Sequence, residues 1–165
     1  MSAAESESGD ELDRTGVTTR KHFSELTAQE LHDILELRSS VFVVEQNCVY
    51  NDIDGRDTEP ETQHFWTECD GRIETYLRVL ADGQGAIRIG RVVTRPTSRG
   101  QGLAVQLLKS VISAAGGAIV LDAQAQLETW YETLGFTRSG DDFIEDGIAH
   151  VPMRRDEVQD LHTTE

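Results

Sequence analysis

Residues 87–116 read IRIGRVVTRPTSRGQGLAVQLLKSVISAAG. The β-branched Ile87, Ile89, Val92 and Val93 predict a largely buried strand. Pro96 has no N–H for a ladder and ends it. Arg99-Gly100-Gln101-Gly102-Leu103-Ala104 then opens a helix. Its apolar positions, Leu103, Leu107, Leu108, Val111, Ile112 and Ala115, fall on one face at helical spacing. Gly116-Gly117 is expected to supply a left-handed stop. A strand running through a glycine-rich turn into a helix gathers unpaired N–H groups and the positive end of a helix dipole at one point. Such a point suits phosphate. Glycines at 100 and 102 let backbone approach a ligand where a Cβ would intrude. Neither the dinucleotide fingerprint GxGxxG nor the P-loop GxxxxGK[ST] is present.

Charge narrows the partners. The chain of 165 residues carries 30 acidic and 15 basic side chains, a formal net charge of −15, and only Lys21 and Lys109 are lysines. That surface repels nucleic-acid phosphate, so no DNA or RNA partner is expected. Acid-rich, lysine-poor composition is similar to that of cytoplasmic proteins of salt-loving organisms. No run approaches the roughly 18 apolar residues of a membrane span, and MSAAESESGDELDRTG lacks the basic and apolar regions of a signal peptide. Cys48 and Cys69 stand alone without CxxC spacing, which fits reduced thiols and a cytoplasmic location.

Working outward, residues 1–16 are expected to be a disordered acidic tail, 17–155 a single domain and 156–165 a polar tail. A first strand is expected over 17–23. Thr27 and Glu30 form a capping box for a helix with Leu31, Ile34, Leu35, Val41 and Phe42 on one face, ending near Glu45. The polar loop 46–57 contains Asp52, Asp54 and Gly55, but in an EF-hand register Tyr50 would stand at position 1 and no helix follows, so calcium is not expected. Strands are expected over 63–69 and 72–80, joined by the tight turn Asp70-Gly71. After the helix come a short strand over 118–123, a short helix over 126–134 and two closing strands, the last over 148–154. The expected fold is α/β of mixed α+β kind: a central, mostly antiparallel sheet with one parallel strand pair, flanked by helices.

Arg99-x-x-Gly102-x-Ala104 after a strand and a proline turn resembles the [QR]xxGx[GA] motif of the GNAT superfamily of acyl-CoA-dependent N-acyltransferases, and the order of elements is the GNAT order. The stretches 37–46 (LRSSVFVVEQ), 52–57 (DIDGRD), 89–93 (IGRVV) and 123–125 (AQA) resemble the ElaA-like branch. So do Tyr131 with Gly135-Phe136, and Glu145-Asp146-Gly147-Ile148 followed by His150 and Met153. The resemblance covers about residues 24–155; Trp130 stands where a smaller aromatic is usual and Ala149 where proline is expected.

The resemblance implies a GNAT fold and acetyl-CoA as co-substrate, with no metal and no covalent intermediate. The backbone of Val92, Val93 and Thr94 would hold the pantetheine arm and thioester. Arg99, Gly100, Gln101, Gly102, Leu103 and Ala104 would form the pyrophosphate loop. The reaction implied is direct attack of an amine on the thioester, in a monomer or homodimer that needs no membrane. The acceptor is a small-molecule or peptide amine.

Tyr131 is the candidate general acid, since a phenol of pKa about 10 can protonate a departing thiolate; a packing tyrosine is the alternative. For the base, Glu45 follows the apolar run 41–44, which is expected to desolvate the carboxylate and raise its pKa. His150 on a late strand is its rival, and His64 a third. Cys48 has no His or Asp pattern around it that would make it a nucleophile. Arg38, Arg78, Arg91 and Arg95 pair either with acids of the chain or with an acidic substrate. The competing function is a GNAT-fold protein that binds acyl-CoA without catalysing transfer, as a sensor or interaction module.

Overall fold

Eight strands form one sheet in the computed structural model, which describes residues 16–157. The acidic tail expected over 1–16 lies outside the described residues apart from Gly16, and so does the C-terminal tail beyond Glu157. The strands are β1 (Val17–His22), β2 (Gln63–Cys69), β3 (Arg72–Ala81), β4 (Ile87–Thr94), β5 (Ile119–Gln124), β6 (Thr137–Arg138), β7 (Phe143–Glu145) and β8 (Ile148–Arg155). Strands β1 to β4 form an antiparallel meander, β4 and β5 run parallel, and β8 lies antiparallel to β5 with β6 and β7 against it. This is the mixed sheet with one parallel pair that the sequence predicts. The small strand β7, paired Phe143 to His150, is an addition to it.

Helices cover both faces. On one, α2 (Leu103–Ala114) buries Leu103, Leu107, Leu108 and Val111, each contributing about 1.5–3 kcal/mol. Leu107, Leu108 and Val111 meet Phe65, Leu77, Val79, Ile89, Leu121 and Val151, together with Tyr131 from the short helix α3 (Glu128–Glu132). On the other, α1 (Ala28–Arg38) and the turns after it set Ile34, Leu37, Val41 and Phe42 against Trp66, Tyr76 and Val93.

Two local expectations are corrected. The helix from Thr27 keeps its capping box, but it widens into a π-helical turn over Ser39–Glu45, with Gln46 N–H donating to Val41 O at 3.0 Å. Within α1 the buried face is Ile34, Leu37 and Arg38, an ordinary i, i+3, i+4 set, while Leu31 and Leu35 are only partly buried. Gly116-Gly117 is no left-handed stop. The residue after α2 is an extended Ala115, and neither glycine has a positive φ. Gly117 answers a close approach instead: a Cβ there would lie 2.6 Å from the Gly85 carbonyl oxygen.

Candidate functional site

The parallel pair is short. Only Ile87, Ile89 and the intervening Arg88 of β4 pair with β5, opposite Ile119, Leu121 and Val120. Beyond that point β4 continues through Thr94 bonded only to β3, and β5 continues through Gln124 bonded only to β8. The two strands part, and the backbone edge of Val92–Thr94 faces a cleft instead of a neighbour. A β-bulge lies where the strands part. Tyr76 pairs with Val93 and Arg78 with Gly90, so Leu77 faces both Arg91 and Val92. Extra residues of this kind bend a strand and raise its twist.

The cleft ends at the start of α2. Gly100 and Gly102 have φ of 76° and 74°, and a Cβ on either would meet open space. Gly102 is the N-cap and offers no side-chain cap to the first turn of α2, so its N–H groups are available to an anion. A ligand phosphate fits this cradle: donors free, no Cβ in the way, a helix dipole behind.

Arg99 is already engaged. Its Nη1 and Nη2 donate to the Glu45 carboxylate at 2.6 and 2.8 Å, and its Nε donates to the Thr94 carbonyl at 3.2 Å. The Glu45 argument from the sequence is therefore corrected. Both side chains are nearly half exposed, the apolar run does not desolvate the carboxylate, and the Arg99 guanidinium holds its pKa below the ordinary carboxylate value. Next to it, the Gln46 side chain accepts from Gln124 Nε2 at 3.4 Å. Residues 45 and 46 thus reach both the loop before α2 and the end of β5.

His150 lies opposite Gln124 in the β5–β8 register. Its Nδ1 is 2.8 Å from the Ile148 carbonyl oxygen, a contact in which the ring nitrogen must donate, so in the neutral ring Nε2 is the nitrogen with the lone pair. The ring stacks on Phe143, centroids 5.6 Å apart. Tyr131 is 5% exposed, edge to face with Trp130 and Phe136. Burial alone pushes its pKa up to about 12, so the phenol keeps its proton across the neutral range. Because side chains alternate along a strand and Ala123 and Val151 point into the core that holds Tyr131, Gln124 and His150 point the other way. Tyr131 and His150 therefore belong to opposite faces of the sheet, while Glu45 shares the α1 side.

His64 does not join them. It is fully buried, with Nδ1 2.7 Å from the Tyr76 hydroxyl and Nε2 3.0 Å from the Asp57 carbonyl oxygen, and burial lowers its pKa. Arg38, Arg78, Arg91 and Arg95 all pair with acids of the chain. Gln124 lies in the 123–125 stretch that carries the resemblance, whereas nothing in the sequence marks Thr75. Thr75 is buried and its hydroxyl donates to the Val93 carbonyl at 2.9 Å; only the register of β3 on β4 puts it there. Among the described residues no group of three or more His, Cys, Asp or Glu side chains is placed to hold a metal ion. No described helix is long and apolar enough to cross a membrane.

Residues 23–157 match the acetyltransferase (GNAT) domain family. A UPF0039 protein of Mycobacterium tuberculosis is 46% identical over 136 residues, 79% of this chain and 87% of that protein. Protein ElaA of Escherichia coli is 35% identical over 145 residues, 84% of this chain and 95% of its own. Among solved structures, an acyl-CoA N-acyltransferase from Pseudomonas aeruginosa superposes with a TM-score of 0.81 at 40% identity, covering 86% of this chain and 99% of that one. The E. coli ElaA crystal structure gives 0.80 at 32% identity, with the same coverage. With its parted parallel strands and glycine-cradled helix start, the chain belongs to the GNAT acetyltransferase family, among the ElaA-like acyltransferases.

Proposed function

We propose that this chain transfers an acetyl group from acetyl-CoA to a primary amine by direct attack, without a metal or a covalent enzyme intermediate. The observation that carries the reading is the gap between β4 and β5, which leads to the uncapped N-terminus of α2. The exposed backbone edge of Val92, Val93 and Thr94 accepts the pantetheine arm as a strand-like partner. The amides from Gly100 through Gln101, Gly102 and Leu103 to Ala104 take the pyrophosphate, and Arg99 joins them once it releases Glu45. When bound, the thioester supplies the activated acyl group.

Tyr131 is the proton donor for the leaving thiolate. Its raised pKa keeps the phenol protonated, and a thiolate leaving a desolvated cleft is basic enough to take that proton. An alkylamine of pKa about 10.4 is only about one part in 10³ neutral at pH 7, so its proton must be accepted. His150 Nε2 is the better-placed acceptor, its tautomer fixed by the Ile148 carbonyl. Glu45 is the second candidate, and only after Arg99 has left it. The acid excess of the sequence supports a salt-adapted surface and a cytoplasmic protein, acting as monomer or homodimer.

The test is release of free thiol from acetyl-CoA across a panel of small and peptide amines, at low and high salt. Amine-dependent release is the expected result. Binding of coenzyme A without turnover on any amine would favour the sensor reading, and absence of both would remove the coenzyme site.

A further inference from the structure

We propose that Arg91, gripped by Asp52 and Asp54, is the positioning residue that sets the bulge in β4 and so aims the Val92–Thr94 backbone edge into the cleft; the functional side of this rests on the transferase reading above. The backbone is the first observation. Arg91 has a φ of 53°, the one non-glycine left-handed residue inside a strand among the described residues; the others, Asn47, Asp70, Gln84 and Asp146, lie in turns. Left-handed backbone is unfavourable for a residue with a long side chain. Gly90 would take it freely, is adjacent, and has open space around it, yet its φ is not positive. The bulge is placed where it serves the Arg91 side chain.

That side chain is held at several points. Nη2 donates to the Asp52 carbonyl at 3.0 Å and to Asp54 Oδ2 at 3.3 Å, Nε lies 2.8 Å from Asp52 Oδ1, and the guanidinium sits 5.4 Å from the centre of the Tyr50 ring. The loop that grips it is itself anchored in the interior. Arg38, fully buried, donates from Nε to Asp52 Oδ2 at 3.0 Å and from Nη1 to Asp57 Oδ1 at 2.7 Å. Arg78, 3% exposed, takes both oxygens of Asp54 at 2.8 and 2.9 Å. Three guanidinium groups face three carboxylates. The charges balance internally, so the cluster is no receptor for an acidic substrate. Buried pairs of this kind are weak sources of net stability but fix one geometry.

What they fix is the strand. One added residue at Arg91 shifts the alternation, so Val92 packs on the α2 side and Val93 on the α1 side. The Thr75 hydroxyl holds the Val93 carbonyl from the β3 side and lies 2.8 Å from Thr94 Oγ1. With Arg91 on one flank and Thr75 on the other, the edge offered to the thioester has little freedom. A misplacement of about 1 Å at such an edge can cost about 10²-fold in rate.

Four variants test this: Arg91→Ala, Arg91→Gly, Arg91→Lys and Asp52→Asn. Amide hydrogen exchange at Val92–Thr94 is read against β2, together with kcat for acetyl-CoA and the dissociation constant of coenzyme A. With Arg91→Gly the backbone objection to φ > 0 disappears while the grip is lost. Exchange at 92–94 should rise, and kcat should fall by at least about tenfold, with coenzyme affinity within about threefold because the pyrophosphate loop is untouched. Arg91→Lys keeps the charge without the fork and should fall between. A purely structural cluster would lower the melting temperature and leave kcat of the folded enzyme unchanged. Wild-type exchange and kcat in Arg91→Gly would overturn the proposal, even if Arg91→Ala or Asp52→Asn failed to fold. If the wild type binds no coenzyme A, the transferase reading fails, and the exchange measurement alone still decides whether Arg91 holds the bulge.

Discussion

Tyr131 packs edge to face against Trp130 and Phe136, so Tyr131→Phe keeps the rings and removes only the hydroxyl. As general acid it should lose about 10²–10⁴-fold in kcat, with coenzyme affinity and melting temperature near wild type. A packing tyrosine would leave turnover unchanged. The two candidate bases separate by substitution. His150→Gln should lower kcat/KM with coenzyme affinity near wild type. Glu45→Gln should not, because Arg99 already engages the carboxylate and holds its pKa below the ordinary value. Freed of its partner, Arg99 should instead bind coenzyme A more tightly by titration calorimetry, and an Arg99→Gln background should abolish that gain. A fall in kcat/KM in Glu45→Gln, with His150→Gln near wild type, would return the base to Glu45. The sequence brought these residue types to attention, but their states were set by partners it does not display. Glu45 meets Arg99 across 54 positions; an apolar run beside a carboxylate predicts desolvation only when no guanidinium lies within reach.

At the scale of elements, the loop before α2 carries the sharpest test. Gly102 has a φ of 74°, so Gly102→Val both strains the backbone by about 1–2 kcal/mol and puts a branched side chain into the open cradle. At least a tenfold loss of coenzyme A affinity is expected, about 1.4 kcal/mol or more, with far-ultraviolet circular dichroism retained. Unchanged affinity would mean that phosphate binds elsewhere. Elements of this kind were legible because local chemistry decides them: the Thr27 capping box, the Asp70-Gly71 turn with both φ positive, the stripe of α2. Elements decided by tertiary contact were not. The π-helical turn begins directly after Arg38, whose buried guanidinium meets Asp52 and Asp57. Gly117 reads as a helix stop in sequence and as a backbone crossing in space. The bulge falls on an arginine beside a glycine, opposite to what propensity alone prefers.

The whole molecule poses a question of magnitudes. Its acid surplus leaves a formal net charge of −15, part of it in the tails. The buried acids Asp52, Asp57 and Glu74 are matched by Arg38, Arg78, Arg91, Arg72 and Arg95, so the surplus falls on the surface. Salt acts there in two directions. It weakens exposed pairs such as Arg138 with Glu128 and Asp142, each contributing about 0–1 kcal/mol. It also screens repulsion among the unmatched carboxylates, as the Debye length shortens from about 10 Å at 0.1 M to about 3 Å at 1 M. The exposed pairs contribute little each, whereas the acid surplus of the full chain is unmatched by any cation, so relief of repulsion should win and the melting temperature should rise with potassium chloride over that range. Arg91 is only partly exposed and is held by the buried Asp52, so mobile ions screen its grip weakly. Arg91→Lys should therefore lower the melting temperature at every salt concentration and leave its slope against salt as in the wild type. A flat or falling trend in the wild type would mean that the surface is not adapted to salt, with the acyl-transfer site unaffected.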